Sequence, residues 1–286
     1  MSLRARLARK EILIAPGVYD GLTAALATDT GFEALYLSGA AVAYTRLGRP
    51  DIGLSTASEM ADTMALIADR TDLPVIMDAD TGFGNALNAR RTMISYERSG
   101  AAALQLEDQS YPKRCGHLSD KSLISSSEMC GKISAMVDAR KRDTLVIART
   151  DAIAVEGFEA AIDRAGAYIE AGADVLFVEA PRDRGELEKI SHVFKGKVPL
   201  LANMVEGGAT PISSAGVLED MGFDIVIFPG GIVRALARTA QEYYGSLLKA
   251  GSNTPFRDRM HDFDGLNKAI GTSEMLAMGK RYDGTS

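Results

Sequence analysis

Four segments of this chain repeat one form. GFEALYLSG, GAAALQLED, GADVLFVEA and GFDIVIFPG each begin at a glycine that ends a helical stretch, then run through a short apolar segment that stops at polar groups. Between them lie ILIAPG, PVIMDAD, TLVIART and VPLLANM, which have the length and β-branched content of buried parallel strands and no sustained polar alternation. Seven of the intervals hold a credible helix, several opened by capping signals such as Thr56-x-x-Glu59 and Ser125-x-x-Glu128. Eight strand–helix units predict an α/β fold, a (β/α)8 TIM barrel. A doubly wound sheet cut into two domains is the alternative, but no Pro/Ser-rich linker marks a boundary.

A barrel of this kind needs roughly 250 residues, and 286 with 46% hydrophobic content supply them. The expected division is a catalytic barrel over 1–250 and a helical extension over 251–286. A net charge of −6 without long like-charge runs leaves no footprint for nucleic acid. No apolar stretch approaches the roughly 18 residues of a membrane span. Two cysteines and the opening MSLRARLARK, which lacks the apolar segment of a secretory signal, point to a reducing, cytoplasmic setting. Cys130, on an expected helix, reads as a packing residue.

Barrel enzymes build their sites at the carboxyl ends of the strands, and here those ends are polar. In chain order they offer Ser38 and Gly39, Asp78 and Asp80, Glu107 and Asp108, then Arg149, Glu179 and Asn203. Any one of them is explained as a solvated loop residue. The set is not, because carboxylates converging on one mouth repel each other unless a cation compensates. Oxygen ligands without a His or Cys cluster favour a hard divalent ion, Mg2+ with Mn2+ as a substitute, over zinc. DADTGFGNALNARR has glycines for close backbone approach but matches neither a dinucleotide fingerprint nor a P-loop. FPGGIVRA, after the last strand, stands where such barrels often bind phosphate. No strand ends in lysine, which counts against a Schiff-base aldolase and leaves Lys113, on a loop, as the one candidate.

That loop, PKRCGHLSDK, places Cys115 beside Arg114, Gly116 and His117, surroundings that favour thiolate character and proton traffic over structural burial.

LYLSG, DADTGFGN, LEDQ, KRCGH, ARTDA, VEAP and NMVEGG, in this order and spacing, resemble the isocitrate lyase and phosphoenolpyruvate mutase superfamily across about residues 10 to 235. The resemblance implies a (β/α)8 barrel whose eighth helix is exchanged between subunits of a dimer or a dimer of dimers. It implies Mg2+ bound directly by Asp78 and, through waters, by Asp51, Asp80 and Glu107. Tyr36, Ser38, Gly39, Ala40, Gly116, His117, Arg149, Glu179, Asn203 and, from FPGGIVRA, Arg234 would surround a small di- or tricarboxylate, and Cys115 would be the acid. The cysteine motif implies the carbon–carbon lyase branch. NMVEGG and KRCGHL are more similar to dimethylmalate lyase, the petal-death lyase and carboxyphosphonoenolpyruvate mutase than to methylisocitrate lyases. The latter read N-I-T-E-F-G and carry a further arginine where HDFDGLNKAI has none. The implied activity is cleavage of a 2-hydroxy dicarboxylate of the alkylated malate type into a 2-oxo acid and a short carboxylic acid through an enediolate. Phosphonomutase, oxaloacetate hydrolase and methylisocitrate lyase activities stay open. So does a different class, a barrel that binds dicarboxylates without turnover, although binding alone has no use for a proton donor. Leu266, Ile270, Met275, Leu276 and Met278 in the extension exceed what a solvated tail needs, so it is expected to pack on a partner subunit.

Overall fold

Eight parallel strands close into a barrel in chain order, the last pairing with the first. They are β1 Leu13–Val18, β2 Leu35–Leu37, β3 Val75–Asp78, β4 Ala103–Glu107, β5 Leu145–Thr150, β6 Val175–Val178, β7 Leu200–Asn203 and β8 Ile225–Phe228. The main helices that follow them are α1 Gly21–Thr30, α2 Ala57–Arg70, α3 Ala86–Arg98, α4 Ser126–Ala139, α5 Phe158–Glu170, α6 Arg184–Phe194, α7 Ala215–Met221 and α8 Gly231–Ala250. The computed structural model describes residues 1–116, 120–211 and 213–284. The expected (β/α)8 barrel is the fold observed.

The strands read as unbroken apolar runs because both of their faces are covered. Val175 and Phe177 of β6, Leu201 of β7, and Ile225 and Ile227 of β8 point inward with Leu13, Tyr36, Ile76 and Ile147. Their neighbours Leu176, Val178, Leu200, Ala202 and Val226 point outward and meet Ala161, Ala165, Leu187, Ile190, Phe194 and Leu218 from the helices. The period of two exists, but polarity does not mark it.

The glycines that open the repeated segments share a conformational cause. Gly31, Gly100, Gly172 and Gly222 have φ of 99°, 103°, 104° and 101°, the left-handed turn that ends a helix and that a side chain disfavours. At the helix starts, Thr56 and Glu59 form the full reciprocal capping box, whereas Ser125 caps Glu128 without the return bond being made. A short helix, Leu3–Leu7, precedes β1 and sends Leu3 into the interior cluster. Arg4 of this helix pairs with Asp143 at 2.6 Å and Asp174 at 3.0 Å, just before β5 and β6.

The chain divides into two compact units, Met1–Ile232 and Val233–Ser286, so the division falls within α8. The first contains all eight strands. The second consists of most of α8, a 3-10 turn over Thr254–Arg259, α9 Phe263–Ala269 and α10 Thr272–Tyr282. No helix among the described residues is long and apolar enough to cross a membrane.

Candidate active site

Parallel pairing sets the charged strand ends side by side: Asp78 is in register with Gln105, and Glu107 with Arg149. At this mouth the chain gathers Asp51, Asp78, Asp80, Glu107, Asp151 and Glu179 around Lys113, Lys121 and Arg149, six carboxylates to three cations. All nine are buried or nearly so.

Lys113 joins two of the carboxylates, with Nζ 2.5 Å from Asp51 Oδ1 and 2.8 Å from Asp80 Oδ1. Burial opposes its charge, but Asp80, Asp51 and Glu107 outweigh burial and hold its pKa well above the usual lysine value. A lysine so fixed in its protonated form is no Schiff-base nucleophile.

Asp78 has no such cation. Its carboxyl is pushed up to about 6, first by burial and then by Asp80, against the pull of Lys113 and Arg149. Oδ1 accepts from the Asp80 backbone N–H at 3.1 Å and from Gln105 Nε2 at 3.4 Å. Gln105 in turn accepts from the Tyr36 hydroxyl at 2.9 Å. Burial and Asp78 keep Tyr36 protonated far above its usual range, so it acts here as a donor. Gly39 passes so close that a Cβ on it would lie 2.9 Å from Asp78 Oδ2. Ser38 spends its hydroxyl as the cap of a short helix, accepting from the Ala41 N–H, and Ala40 beside it is half-buried.

On the other side of the mouth Arg149 is surrounded by acids. Its Nε and Nη2 each donate to Asp151 at 3.0 Å, Nη1 lies 3.1 Å from Glu107, and Nη2 lies 3.6 Å from Glu179. Glu179 also accepts from Asn203 Nδ2 at 3.1 Å and from the Ala180 N–H at 2.8 Å. Glu107 is pushed well above the ordinary carboxylate range by burial, only partly relieved by Arg149. Neither of its oxygens has a hydrogen-bond partner among the described residues, and Asn203 Oδ1 is in the same position.

The thiol loop enters between these halves. Cys115 is half-buried, and its backbone N–H donates to the Asp51 carbonyl at 3.2 Å. Gly116 is buried against Arg149 and Glu179, so that a Cβ would sit 2.5 Å from Arg149 Nη2 and 2.8 Å from Glu179 Oε2. His117, expected at the site, lies outside the described residues. Arg234 belongs to the second unit, on α8. Sequence reading missed Gln105, Asp151 and Lys121 and gave Lys113 a different role. The available signals were a polar residue inside the apolar LQLED and the acid of ARTDA.

No group of three or more ligating side chains converges on one point among the described residues. Mg2+ fits this arrangement, because it keeps several waters and takes one or two protein carboxylates directly. An Asp78 carboxyl outside any ion pair, Glu107 oxygens that accept no hydrogen bond among the described residues and an all-oxygen donor set are what such an ion would satisfy.

A buried cluster of carboxylates, one arginine and a thiol loop at the carboxyl end of a (β/α)8 barrel have the placement of a barrel enzyme's active site. The phosphoenolpyruvate phosphomutase family model matches residues 3–248. The 2-methylisocitrate lyase of Aeropyrum pernix is 46% identical over 91% of this chain and 83% of its own length. A crystal structure of 2,3-dimethylmalate lyase, a PEP mutase/isocitrate lyase superfamily member, superposes with a TM-score of 0.93 at 38% identity, covering 98% of this chain and 94% of that one. Oxaloacetate acetylhydrolase in complex with 3,3-difluorooxalacetate superposes with a TM-score of 0.94 at 34% identity over 100% and 97%. The chain belongs to the phosphoenolpyruvate mutase/isocitrate lyase superfamily and is an enzyme of its carbon–carbon lyase and mutase class.

Proposed function

We propose that this enzyme is a Mg2+-dependent lyase that cleaves the C2–C3 bond of a 2-hydroxy dicarboxylate of the alkylated malate type. The observation that carries the reading is the meeting of the Cys115–Gly116 segment with Arg149 and Glu179 at the edge of the carboxylate cluster. In the cleavage the hydroxyl loses its proton and its carbon becomes a carbonyl. The bonding pair passes to the departing acid as an enediolate. Both halves gather negative charge at oxygen, and Arg149 with the backbone N–H groups of Gly39 and Ala40 is suited to hold it. Glu107, which faces Arg149 at 3.1 Å, is the carboxylate that takes the hydroxyl proton in this reading. Cys115 then protonates the enediolate at carbon, and the loop excludes water while it does so. A Mg2+ held by Asp78, and through waters by Asp51, Asp80 and Glu107, would supply polarisation of the 2-oxygen and neutralise the acidic mouth.

The names of the relatives support a dicarboxylate or a tricarboxylate substrate. The absence of arginine from HDFDGLNKAI favours the dicarboxylate; the 46% identity to a 2-methylisocitrate lyase favours the second reading, methylisocitrate. One experiment separates them. Alkylated malates, 2-methylisocitrate and oxaloacetate are incubated with enzyme and Mg2+ in D2O and the products are identified by NMR. An alkylated malate should give a 2-oxo acid and a carboxylic acid deuterated at the former C3. Exclusive turnover of 2-methylisocitrate, or of oxaloacetate, would replace the proposed substrate. Cleavage without deuterium at that carbon would remove Cys115 as its proton donor. The enzyme is expected to be cytoplasmic and to work as a homodimer or homotetramer with α8 exchanged between subunits.

A further inference from the structure

Lys121 is the cation of the mouth that pairs with none of the proposed metal ligands. Its side chain is 1% exposed. The ammonium donates to the Gly116 carbonyl and, at 2.9 Å, to Asp151 Oδ1. Asp151 is fully buried, and the same carboxylate takes Arg149 in a two-pronged grip. Burial works to raise the Asp151 pKa, but Arg149 and Lys121 together outweigh it and hold the carboxyl below its ordinary value. The backbone of Asp151 is fixed from behind: its N–H donates to Asp108 Oδ1 at 2.9 Å, while Asp108 Oδ2 accepts from Thr150 Oγ1 at 2.7 Å and Tyr168 OH at 2.8 Å. A continuous path of charge-assisted bonds therefore runs from this buried anchor through Lys121 to the backbone next to the thiol.

Stability alone does not account for it. β4 and β5 are already zipped along five residues from Ala103 to Glu107. A buried ion pair is often matched or bettered by apolar side chains of the same volume. What the pair adds is placement: Cys115 is held from one side by the Asp51 carbonyl, and Gly116 from the other by Lys121.

We propose that Lys121 is a positioning residue for the proton-transfer step, fixing the Cys115–Gly116 segment against Arg149 through Asp151. The inference rests on the functional reading above for its effect on turnover, but not for its effect on the thiol.

The test uses the full chain with Lys121→Met and Lys121→Arg, and two readouts. The first is the rate at which iodoacetamide alkylates Cys115, followed by peptide mass spectrometry with Cys130 as the internal control. Lys121→Met should speed Cys115 by about tenfold, the scale of one charge-assisted bond lost, and leave Cys130 unchanged. Lys121→Arg should restore the slow rate. The second is steady-state turnover of 2,3-dimethylmalate with Mg2+, where Lys121→Met should lower kcat by roughly 10²-fold, as a misplaced reacting group does, with little change in KM. Wild-type alkylation and kcat in a folded Lys121→Met protein overturn the proposal. If Lys121→Met does not fold, Lys121→Gln carries the same readouts; failure of both to fold marks a purely structural pair and also overturns it. If the wild-type enzyme cleaves no dicarboxylate, the functional reading falls while the alkylation comparison still decides the placement of the thiol.

Discussion

Lys113 and Asp78 divide the labour of the acidic mouth at the level of single side chains. Lys113 neutralises Asp51 and Asp80 at 2.5 and 2.8 Å; Asp78 is left with a carboxyl near 6. The sign of its pH effect follows. Between the ordinary value of 3.8 and about 6, folded Asp78 keeps a proton that the unfolded chain has released, so stability of the metal-free protein falls as pH rises through this window and is level above it. At about 1.4 kcal/mol for each tenfold in proton affinity, the charged group costs on the order of 3 kcal/mol at pH 8. Asp78→Asn keeps an acceptor for Gln105 and the Asp80 N–H. It should therefore raise the melting temperature of metal-free protein at pH 8 and have no such effect at pH 4, while abolishing stabilisation by Mg2+. Thermal scans at the two pH values with and without Mg2+ check this, and equal shifts at both would refute the burial argument. For Cys115, Cys115→Ser should leave KM and Mg2+ affinity close to wild type and lower kcat by roughly 10²-fold. A loss of affinity at constant kcat would instead make the thiol a contact group. The acids at strand ends were legible in the sequence because polar residues that stop apolar runs stand out. Lys113 and Lys121 were not, because nothing in their spacing says which carboxylates a long loop brings them to.

The elements carry the site through strand ends and turns. β3 runs into a turn in which Asp80, Gly82, Phe83 and Gly84 all have positive φ, at 47°, 79°, 60° and 144°. For Asp80 and Phe83 this conformation costs energy that surrounding structure must repay. Lys132, buried on α4, donates to the Thr81 carbonyl at 3.2 Å, and Thr92 on α3 donates to that of Gly82 at the same distance. The adjacent turn after β2 brings Gly39 against Asp78. Gly39→Ala would place a methyl 2.9 Å from Asp78 Oδ2 and 3.5 Å from Asp80 Oδ1, in a helical segment that tolerates alanine. It should weaken Mg2+ binding by about tenfold or more, read by calorimetric titration of the metal-free protein, with the melting temperature nearly unchanged. Unaltered Mg2+ affinity would place the ion elsewhere. The strands themselves were legible because four of them open after a helix-ending glycine and most stop at a polar residue. The inward and outward faces were hidden, since both are apolar.

At the scale of the molecule, the two units differ in how well they bury themselves. Among the described residues of Val233–Ser286, Val233 and Phe256 are the buried hydrophobics, whereas Leu248, Phe263 and Tyr282 are each more than 80% exposed. So little core in a unit of this size supports the reading that a partner surface covers it. Removing Gly251–Ser286 should give a smaller species in sedimentation, a lower melting temperature and loss of turnover. A stable truncated protein with wild-type size and activity would refute subunit packing by this segment. The barrel unit has the opposite character. Its interior is filled from wall to wall by Leu13, Ile76, Ile147, Val175, Phe177, Leu201 and Ile225, with Leu3 of the amino-terminal helix in the same cluster. A filled barrel is a vessel with one opening, so both products of a cleavage must depart the way the substrate arrived. A fragment that lies deeper in such a mouth leaves after the one above it. Release is then sequential, and the kinetics should say so: the last product to leave should inhibit competitively against substrate, and the first should not.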